Sequence, residues 1–264
     1  MSVYNHQAFV EDAIRSVLDQ KFQDYEFLIA DDASTDGTMA LAEKWARADH
    51  RIRVLRNETR LGLTKSLNRA ISQTSAPWIA RQDADDVSHS DRLRSQMDRL
   101  DENPDIGVLG TWYEGINEKG RHLYKMILPV GDKEIKKWLN TVNCFCHGTV
   151  IFSRDLFIKA GGYPEKYPFA QDYALWLRFS KLTKIGNVPE VLYQRRIHEG
   201  AVSQLNQERW QILQQIKLDM GLIDRREAIK EFIAREYRVH GKFLLGMGQY
   251  KEGVMSLLKG LLRV

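Results

Sequence analysis

The chain has 264 residues, 43% of them hydrophobic and 28% charged, which suits one large domain or a domain with a small appendage. A net charge of +4, with acids and bases interspersed, is too mild to imply a nucleic-acid partner. No apolar run reaches the roughly 18 residues that a membrane-spanning helix needs, and no signal-peptide pattern is evident.

Val10, Ala13, Ile14, Val17 and Leu18 recur at helical spacing and predict an amphipathic helix over 7–19. Glu26-Phe27-Leu28-Ile29-Ala30 is short and mostly apolar, and reads as a buried strand ending at Asp31-Asp32. Small and polar residues over 33–38 make a turn able to cap a helix over 38–48. A strand follows over 51–56. Leu63, Leu67, Ala70 and Ile71 mark the next helix. Residues 77–81 form another strand, which runs into Gln82-Asp83-Ala84-Asp85-Asp86.

The second half changes character. Residues 106–112 read as a strand, and Asn117-Glu118-Lys119-Gly120 as a turn into another. A further strand is expected over 143–153. It would carry Cys144 and Cys146 on one face, reduced and buried, with too few neighbouring ligands for zinc. A helix is expected over 171–182. From about 206 onward the sequence reads as entirely helical, and Tyr237 to Leu258 has the look of a two-helix repeat unit.

Alternating strands and helices in the first half argue for a parallel sheet with helices on both faces. Ligands of such sheets bind at the carboxyl ends of the strands. Asp31-Asp32 and the Asp83, Asp85, Asp86 cluster both fall there. Carboxylates packed this tightly repel one another unless the turn is solvated or a cation sits between them. Oxygen ligands suit a hard divalent cation, Mg²⁺ or Mn²⁺, which is most useful against a phosphate-bearing substrate. Simple capping of a turn by Asp31-Asp32 explains those two residues equally well. There is no Gly-x-Gly-x-x-Gly fingerprint, no Gly-Lys-Ser/Thr phosphate loop and no Gly-x-Ser-x-Gly elbow.

An ordered set of motifs resembles the family 2 glycosyltransferases of GT-A fold. It starts with Val3-Tyr4-Asn5, Ser16-Val17-Leu18-Asp19-Gln20 and Asp31-Asp32-Ala33-Ser34-Thr35-Asp36-Gly37-Thr38. Leu61-Gly62-Leu63 with Leu67-Asn68, then Gln82-Asp83-Ala84-Asp85-Asp86 and Asp91-Arg92-Leu93, continue it. His147 before Thr149, Gly161-Gly162-Tyr163, and Gln171-Asp172-Tyr173 with Leu175-Trp176-Leu177 complete it, over roughly residues 3–203. The resemblance implies an α/β fold: a Rossmann-like mixed sheet flanked by helices. It places a GT-A domain at 1–203, its first strand truncated, and a C-terminal helical extension at 204–264.

The resemblance further implies an inverting sugar transfer from a nucleotide-diphosphate sugar, a UDP-sugar above all. The acceptor would be a saccharide or a lipid-linked saccharide, in cell-surface polysaccharide synthesis. Val3, Tyr4, Asp32, Lys65 and Asp83 would bind the donor nucleotide, with Arg60 a further candidate. Asp85 would hold Mg²⁺ or Mn²⁺, and His198 is a second candidate metal ligand. Arg196 is a candidate phosphate partner. Asp172 would be the general base, or a helix N-cap, or both. Gly162, Tyr163 and Gln171 are candidate acceptor contacts, and Gln171 stands where many relatives have Glu. Trp176 reads as core rather than as a sugar platform. His147 reads as structural or as a group orienting phosphate or acceptor.

Two other readings compete. One is another NDP-sugar enzyme, such as a nucleotidyltransferase, whose glycine-rich basic start this chain lacks. The other is a non-catalytic nucleotide-sugar or protein-binding module with the helical tail as its interaction surface. The expected location is cytoplasmic. Residues 254–263, apolar with basic punctuation, are a candidate for peripheral contact with the inner face of the membrane. Finally, only Met1-Ser2-Val3-Tyr4 precedes the turn at Asn5-His6, where the family places an apolar strand of about five residues. The expectation is that Met1 is not the natural start and that codons upstream encode a Val/Ile-rich run.

Overall fold

The structure is a computed structural model, and it describes residues 1–198, 212–213, 215–217, 219–220 and 222. The expected 204–264 extension, its repeat-like segment and its candidate membrane-facing helix lie almost wholly outside the described residues. The few that are described dock on the domain. Ile212, Leu213 and Ile216 pack into the largest apolar cluster, and Tyr167 Oη donates to Asp219 Oδ2 at 2.7 Å.

The chain begins with strand β1 (Ser2–Val3), helix α1 (Val10–Leu18), β2 (Phe27–Asp31), α2 (Thr38–Ala48), β3 (Ile52–Arg56) and α3 (Leu63–Ser72). β1, β2 and β3 form a parallel sheet in that order. Its ladder runs one residue past β1, where the Met1 amino group donates to Leu28 O and Ala30 N donates to Met1 O. Apolar residues of α1 and α2 cover one face: Val10, Ala13, Ile14, Val17 and Ala42 meet Val3, Phe27 and Ile29. α3 lies against β1 and β2, while its Leu67 and Ile71 join the larger apolar cluster. The predicted strand–helix alternation is therefore realised here.

β4 (Trp78–Ala80), β5 (Val87–Ser88), α4 (Arg92–Glu102), β6 (Ile106–Asn117), β7 (His122–Met126) and α5 (Asp132–Leu139) follow. β8 (Ile151–Ser153), α6 (Arg154–Lys159), α7 (Gln171–Ser180) and β9 (Lys184–Ile197) complete the described domain. The second sheet has the order β4-β8-β6-β9-β5, with β7 on β6. It is mixed. β6 and β9 run parallel, and the other pairs are antiparallel. So the wholly parallel sheet expected is found only over β1–β3, and the second sheet keeps a single parallel pair, β6 and β9.

The strand expected over 143–153 is also corrected. Only Ile151–Ser153 is extended, and His147–Thr149 is a single 3₁₀ turn. Asn143 explains part of this, because its Oδ1 accepts from Phe145 N at 3.0 Å and closes a local turn in place of a ladder. Cys144 and Cys146 both sit on this loop as thiols, and Cys144 Sγ donates to Val142 O at 3.5 Å. Trp176, Phe152 and Phe179 are fully buried in the core between this sheet and α5–α7, which bears out the core reading of Trp176.

Candidate functional site

Among the described residues, three non-glycine residues have left-handed backbone: Asn5 (φ 52°), Ala33 (φ 62°) and Ala170 (φ 56°). Each costs about 1–2 kcal/mol relative to the right-handed region. Each also adjoins a candidate residue: Asn5 follows Tyr4, Ala33 follows Asp32, and Ala170 precedes Gln171-Asp172. Strain of this kind concentrates at functional sites.

Asp32 lies at the carboxyl end of β2 and is 2% exposed. Its Oδ1 accepts from Asn57 Nδ2 (2.7 Å), Ser66 Oγ (2.8 Å) and Leu61 N (2.8 Å), and its Oδ2 accepts from Gly62 N (2.8 Å). Burial alone pushes its carboxyl up. The donors of Leu61, Asn57, Ser66 and Gly62 outweigh that and hold it below the ordinary value. Asp32 is thus an anchor that ties β2 to the start of α3. Its neighbour Asp31 accepts from Ser34 N at 3.2 Å, while Asp31 Oδ1 is buried with no partner.

Of the other expected donor contacts, Val3 has its side chain in the apolar core and its carbonyl bonded to Asp32 N. Tyr4 is half-buried, with the Arg60 guanidinium 4.0 Å from its ring centroid. Lys65 is exposed on α3, one residue before Ser66.

The acidic cluster is assembled by strand register. β5 and β9 pair antiparallel with Val87 opposite Gln194. Continuing that pairing sets Asp85 and Asp86 beside Arg195 and Arg196, with His198 just past the strand's end. The contacts agree. Arg196 N donates to Asp86 Oδ1 (2.7 Å), Arg196 Nε donates to Asp85 O (2.9 Å), and His198 Nε2 lies 2.9 Å from Asp85 Oδ2. Arg196, the candidate phosphate partner, has its nitrogens bonded to the protein itself. It is 5% exposed, and its other nitrogens donate to Glu118 O and Asp12 Oδ2. Asp86 is buried too. Burial, with the nearby Asp85 and Asp83, raises its carboxyl well above the ordinary value. Asp85 and His198 keep some exposure, with 19% and 10% of their side-chain surfaces accessible. A carboxylate oxygen and an imidazole nitrogen at this separation are a donor set that fits Mn²⁺ or Mg²⁺, with diphosphate oxygens and water as further ligands. Among the described residues no three His, Cys, Asp or Glu side chains form a ready-made metal cage.

Asp83 starts a buried polar chain. Arg81 Nη2 donates to Asp83 Oδ1 (2.7 Å), and Arg81 Nε donates to His147 Nε2 (3.0 Å). Tyr163 Oη reaches the same imidazole nitrogen at 2.8 Å. Burial raises the Asp83 carboxyl, and Arg81 more than reverses this, helped by His147, the Met1 amino group and Arg195. The net shift is downward. Burial and the Arg81 charge press His147 down to about 4, so the ring is neutral near pH 7.

Asp172 sits beyond this chain, in the first turn of α7, and its charge is felt at both His147 and Tyr163. Its Oδ2 accepts from Asn143 Nδ2 at 3.0 Å. The N-cap of α7 is Ala170, not Asp172, and no side chain caps it. Gln171 is 7% exposed. Tyr163, 1% exposed, packs its ring on Phe157 and brings its hydroxyl to His147 Nε2. Gly162 (φ 71°) is likewise buried. Asn68 pins the backbone of Tyr163 from both sides, and a Cβ on Gly162 would lie 3.2 Å from Asn68 Oδ1. That close clamp is what requires glycine here.

Three residues of the site escaped the sequence reading. They are His6, whose Nε2 lies 4.0 Å from Asp85 Oδ2, Arg81 and Asn143. Arg81 directly precedes the acidic cluster, and His6 directly follows Val3-Tyr4-Asn5, so proximity to those motifs was the available signal.

Comparison with known proteins now decides the family. Residues 1–161 match the family described as Glycosyl transferase family 2. The chain belongs to that family. It is a glycosyltransferase. It is similar to the O-antigen biosynthesis glycosyltransferase WbnJ of Escherichia coli, 33% identical over 203 residues, covering 75% of this chain and 78% of WbnJ. The fold is GT-A. The crystal structure of S. aureus TarS 1–349 in complex with UDP-GlcNAc aligns with a TM-score of 0.68 at 18% identity, covering 96% of this chain and 80% of that one. The mannosyltransferase PcManGT from Pyrobaculum calidifontis, in complex with GDP-Man and Mn²⁺, aligns with a TM-score of 0.66 at 17% identity, covering 98% and 73%.

Proposed function

We propose that this glycosyltransferase moves a sugar from a nucleoside-diphosphate donor, a UDP-sugar, to a saccharide or lipid-linked acceptor with inversion at the anomeric carbon. The observation that carries the reading is the meeting of Asp85 and His198 at 2.9 Å, from positions far apart in sequence. It is a partly exposed O,N donor pair at the end of β9, where a diphosphate would lie. Complexes of fold neighbours with UDP-GlcNAc and with GDP-Man and Mn²⁺ support it. The names of relatives such as WbnJ support a place in cell-surface polysaccharide synthesis.

When bound, a divalent cation supplies charge neutralisation for the departing nucleoside diphosphate. Asp85 and His198 would hold it. Tyr4, backed by Arg60, would offer a flat surface to the base. Asp32 would act indirectly, by fixing the loop over Leu61 and Gly62. Asp83, kept ionised by Arg81, would accept from the ribose or assist the metal site. Asp172 would take the acceptor hydroxyl's proton while that oxygen bonds to the anomeric carbon and the bond to the β-phosphate breaks. One displacement needs one such base. Asn143 holds one carboxylate oxygen of Asp172 and leaves the other for the proton. Among the described residues no helix is long and apolar enough to cross a membrane. A cytoplasmic enzyme working at the inner membrane face, on an acceptor made there, is part of this proposal.

The test is release of UDP from UDP-sugars with Mn²⁺ present, for the wild-type protein and for Asp172→Asn. Turnover that depends on Mn²⁺ and on Asp172 is expected. Binding without any turnover across UDP-, GDP- and dTDP-sugars and candidate acceptors would point instead to a non-catalytic module.

A further inference from the structure

His147 opens the 3₁₀ turn that follows the 143–146 loop, and its imidazole is gripped from one side. Nε2 meets Arg81 Nε at 3.0 Å and Tyr163 Oη at 2.8 Å. Those two partners are 2% and 1% exposed, and the fully buried Trp176 stands edge-on to the ring with centroids 6.1 Å apart. A guanidinium N–H can only donate, so Nε2 accepts and carries no hydrogen. The neutral ring therefore holds its hydrogen on Nδ1. That N–H makes no hydrogen bond among the described residues, and it is not sealed in the core, since the ring is only half-buried. A donor whose tautomer is fixed by buried partners, and that has no acceptor in the surrounding protein, is set for an acceptor from outside.

The neighbours define that acceptor. Asp83 accepts from the same Arg81 guanidinium at 2.7 Å, and Asp172 is close enough for its charge to act on the ring. The anomeric carbon has to lie between the leaving oxygen, on the Asp83 side, and the attacking oxygen, on the Asp172 side. A group that neighbours both carboxylates thus neighbours the sugar in transit. Burial and the Arg81 charge keep the ring uncharged near pH 7. An uncharged N–H suits a hydroxyl oxygen, whereas a diphosphate oxygen is better served by a cation.

We propose that His147 is a sugar-contacting residue, its Nδ1–H donating to a hydroxyl of the sugar that is transferred. The inference rests on the reading of Asp83 as a donor-side carboxylate and Asp172 as the base. The contact would fix the rotation of the sugar ring about its bond to the phosphate and so aim the anomeric carbon at the acceptor.

Two substitutions separate this contact from the support that His147 gives Arg81. His147→Gln puts a carbonyl oxygen near the place of Nε2 and no donor in place of Nδ1. His147→Asn puts an amide nitrogen near the place of Nδ1 and nothing in place of Nε2. Calorimetry on the full chain with Mn²⁺ compares UDP-glucose and UDP-GlcNAc with UDP, and GDP-mannose with GDP, and urea midpoints are measured alongside. For the nucleotide sugar that binds, His147→Gln should lower affinity roughly three- to tenfold, the worth of one neutral hydrogen bond. Affinity for the free nucleoside diphosphate and the urea midpoint should stay near those of wild type. His147→Asn should keep more of the sugar's share of the affinity but lower the urea midpoint, because two buried donors lose their acceptor. Among mono-deoxy donor analogues, the one that binds wild type more weakly should bind His147→Gln no worse than the parent donor does. Unchanged nucleotide-sugar affinity in His147→Gln, or an effect confined to the KM of the acceptor, would overturn the contact. Loss of the sugar's share in His147→Asn but not in His147→Gln would assign His147 to the support of Arg81 alone. Absence of binding by all three nucleotide sugars to wild type would overturn the donor reading and this inference with it.

Discussion

Acidification should destabilise the folded protein through His147, and the size of the effect can be worked out. His147 Nε2 accepts from Arg81 Nε at 3.0 Å and from Tyr163 Oη at 2.8 Å. A proton on that nitrogen would leave two donors facing a third and set a second positive charge against a guanidinium buried to 2% exposure. Burial and Arg81 accordingly lower the folded-state value to about 4 from 6.5. Above pH 6.5 neither the folded nor the unfolded chain protonates this ring, and its contribution is complete. Between 6.5 and about 4 the unfolded chain binds the proton and the folded one does not, so stability falls as pH falls. Below about 4 both forms are protonated and the contribution is gone. The separation corresponds to about 3 kcal/mol at most, and the ring's partial exposure lowers it toward about 2. The assay is urea unfolding at pH 7, 6, 5 and 4 for wild type and His147→Gln, whose carbonyl oxygen can still accept from Arg81 but does not titrate. The variant should lose about 2 kcal/mol less than wild type across this range. Parallel curves for the two proteins would show that His147 is not held neutral by Arg81.

Asp85→Asn should abolish Mn²⁺-dependent donor binding in calorimetry and cost on the order of 10²-fold in turnover, while the melting temperature stays near that of wild type. Asp172→Asn should keep donor affinity and lower transfer by about 10²–10⁴-fold, and loss of donor binding would move Asp172 to the donor side. Asn143→Ala should lower turnover by a smaller factor without touching donor affinity, checked by separating kcat from KM. Asp32→Ala strands four donors at the start of α3 and should destabilise by about 3 kcal/mol or more, seen as a lower urea midpoint. An unchanged midpoint would mean that the anchor is dispensable.

The first three strands and helices were legible because each apolar run has a single plausible period. Strand β2 and helix α2 fall close to where the sequence puts them. The loop over 143–150 was not, since its apolar residues Cys144 and Phe145 are buried without forming a strand. Burial produced the strand-like pattern, and local bonds such as Asn143 to Phe145 decided against the ladder. Motifs alone also failed to separate chemistry from scaffolding. Gln20 resembles a family landmark, yet its side chain bonds Ser16 O, His89 O and Leu93 N and ties α1 to α4. Arg92 lies in another, and its guanidinium donates to Arg81 O and Gly148 O from within the core. Tyr163 and Val3 proved to be buried for the same reason: residues that shape a site are spaced along the chain much like those that line it. His198 was recognisable as a candidate, but its meeting with Asp85 depends on the β5–β9 register, which no local pattern states.

The central claim is that this chain binds a nucleotide sugar through a divalent cation held at Asp85. A thermal-shift panel of UDP-, GDP- and dTDP-sugars, with and without Mn²⁺, on wild type and Asp85→Asn tests it most directly. A ligand that binds only the folded state raises its stability, by about 2.7 kcal/mol at a hundred times its Kd. The expected result is a rise in the melting temperature of wild type with one donor class, dependent on Mn²⁺ and absent in Asp85→Asn. No shift with any donor, or an equal Mn²⁺-dependent shift in both proteins, would contradict the account.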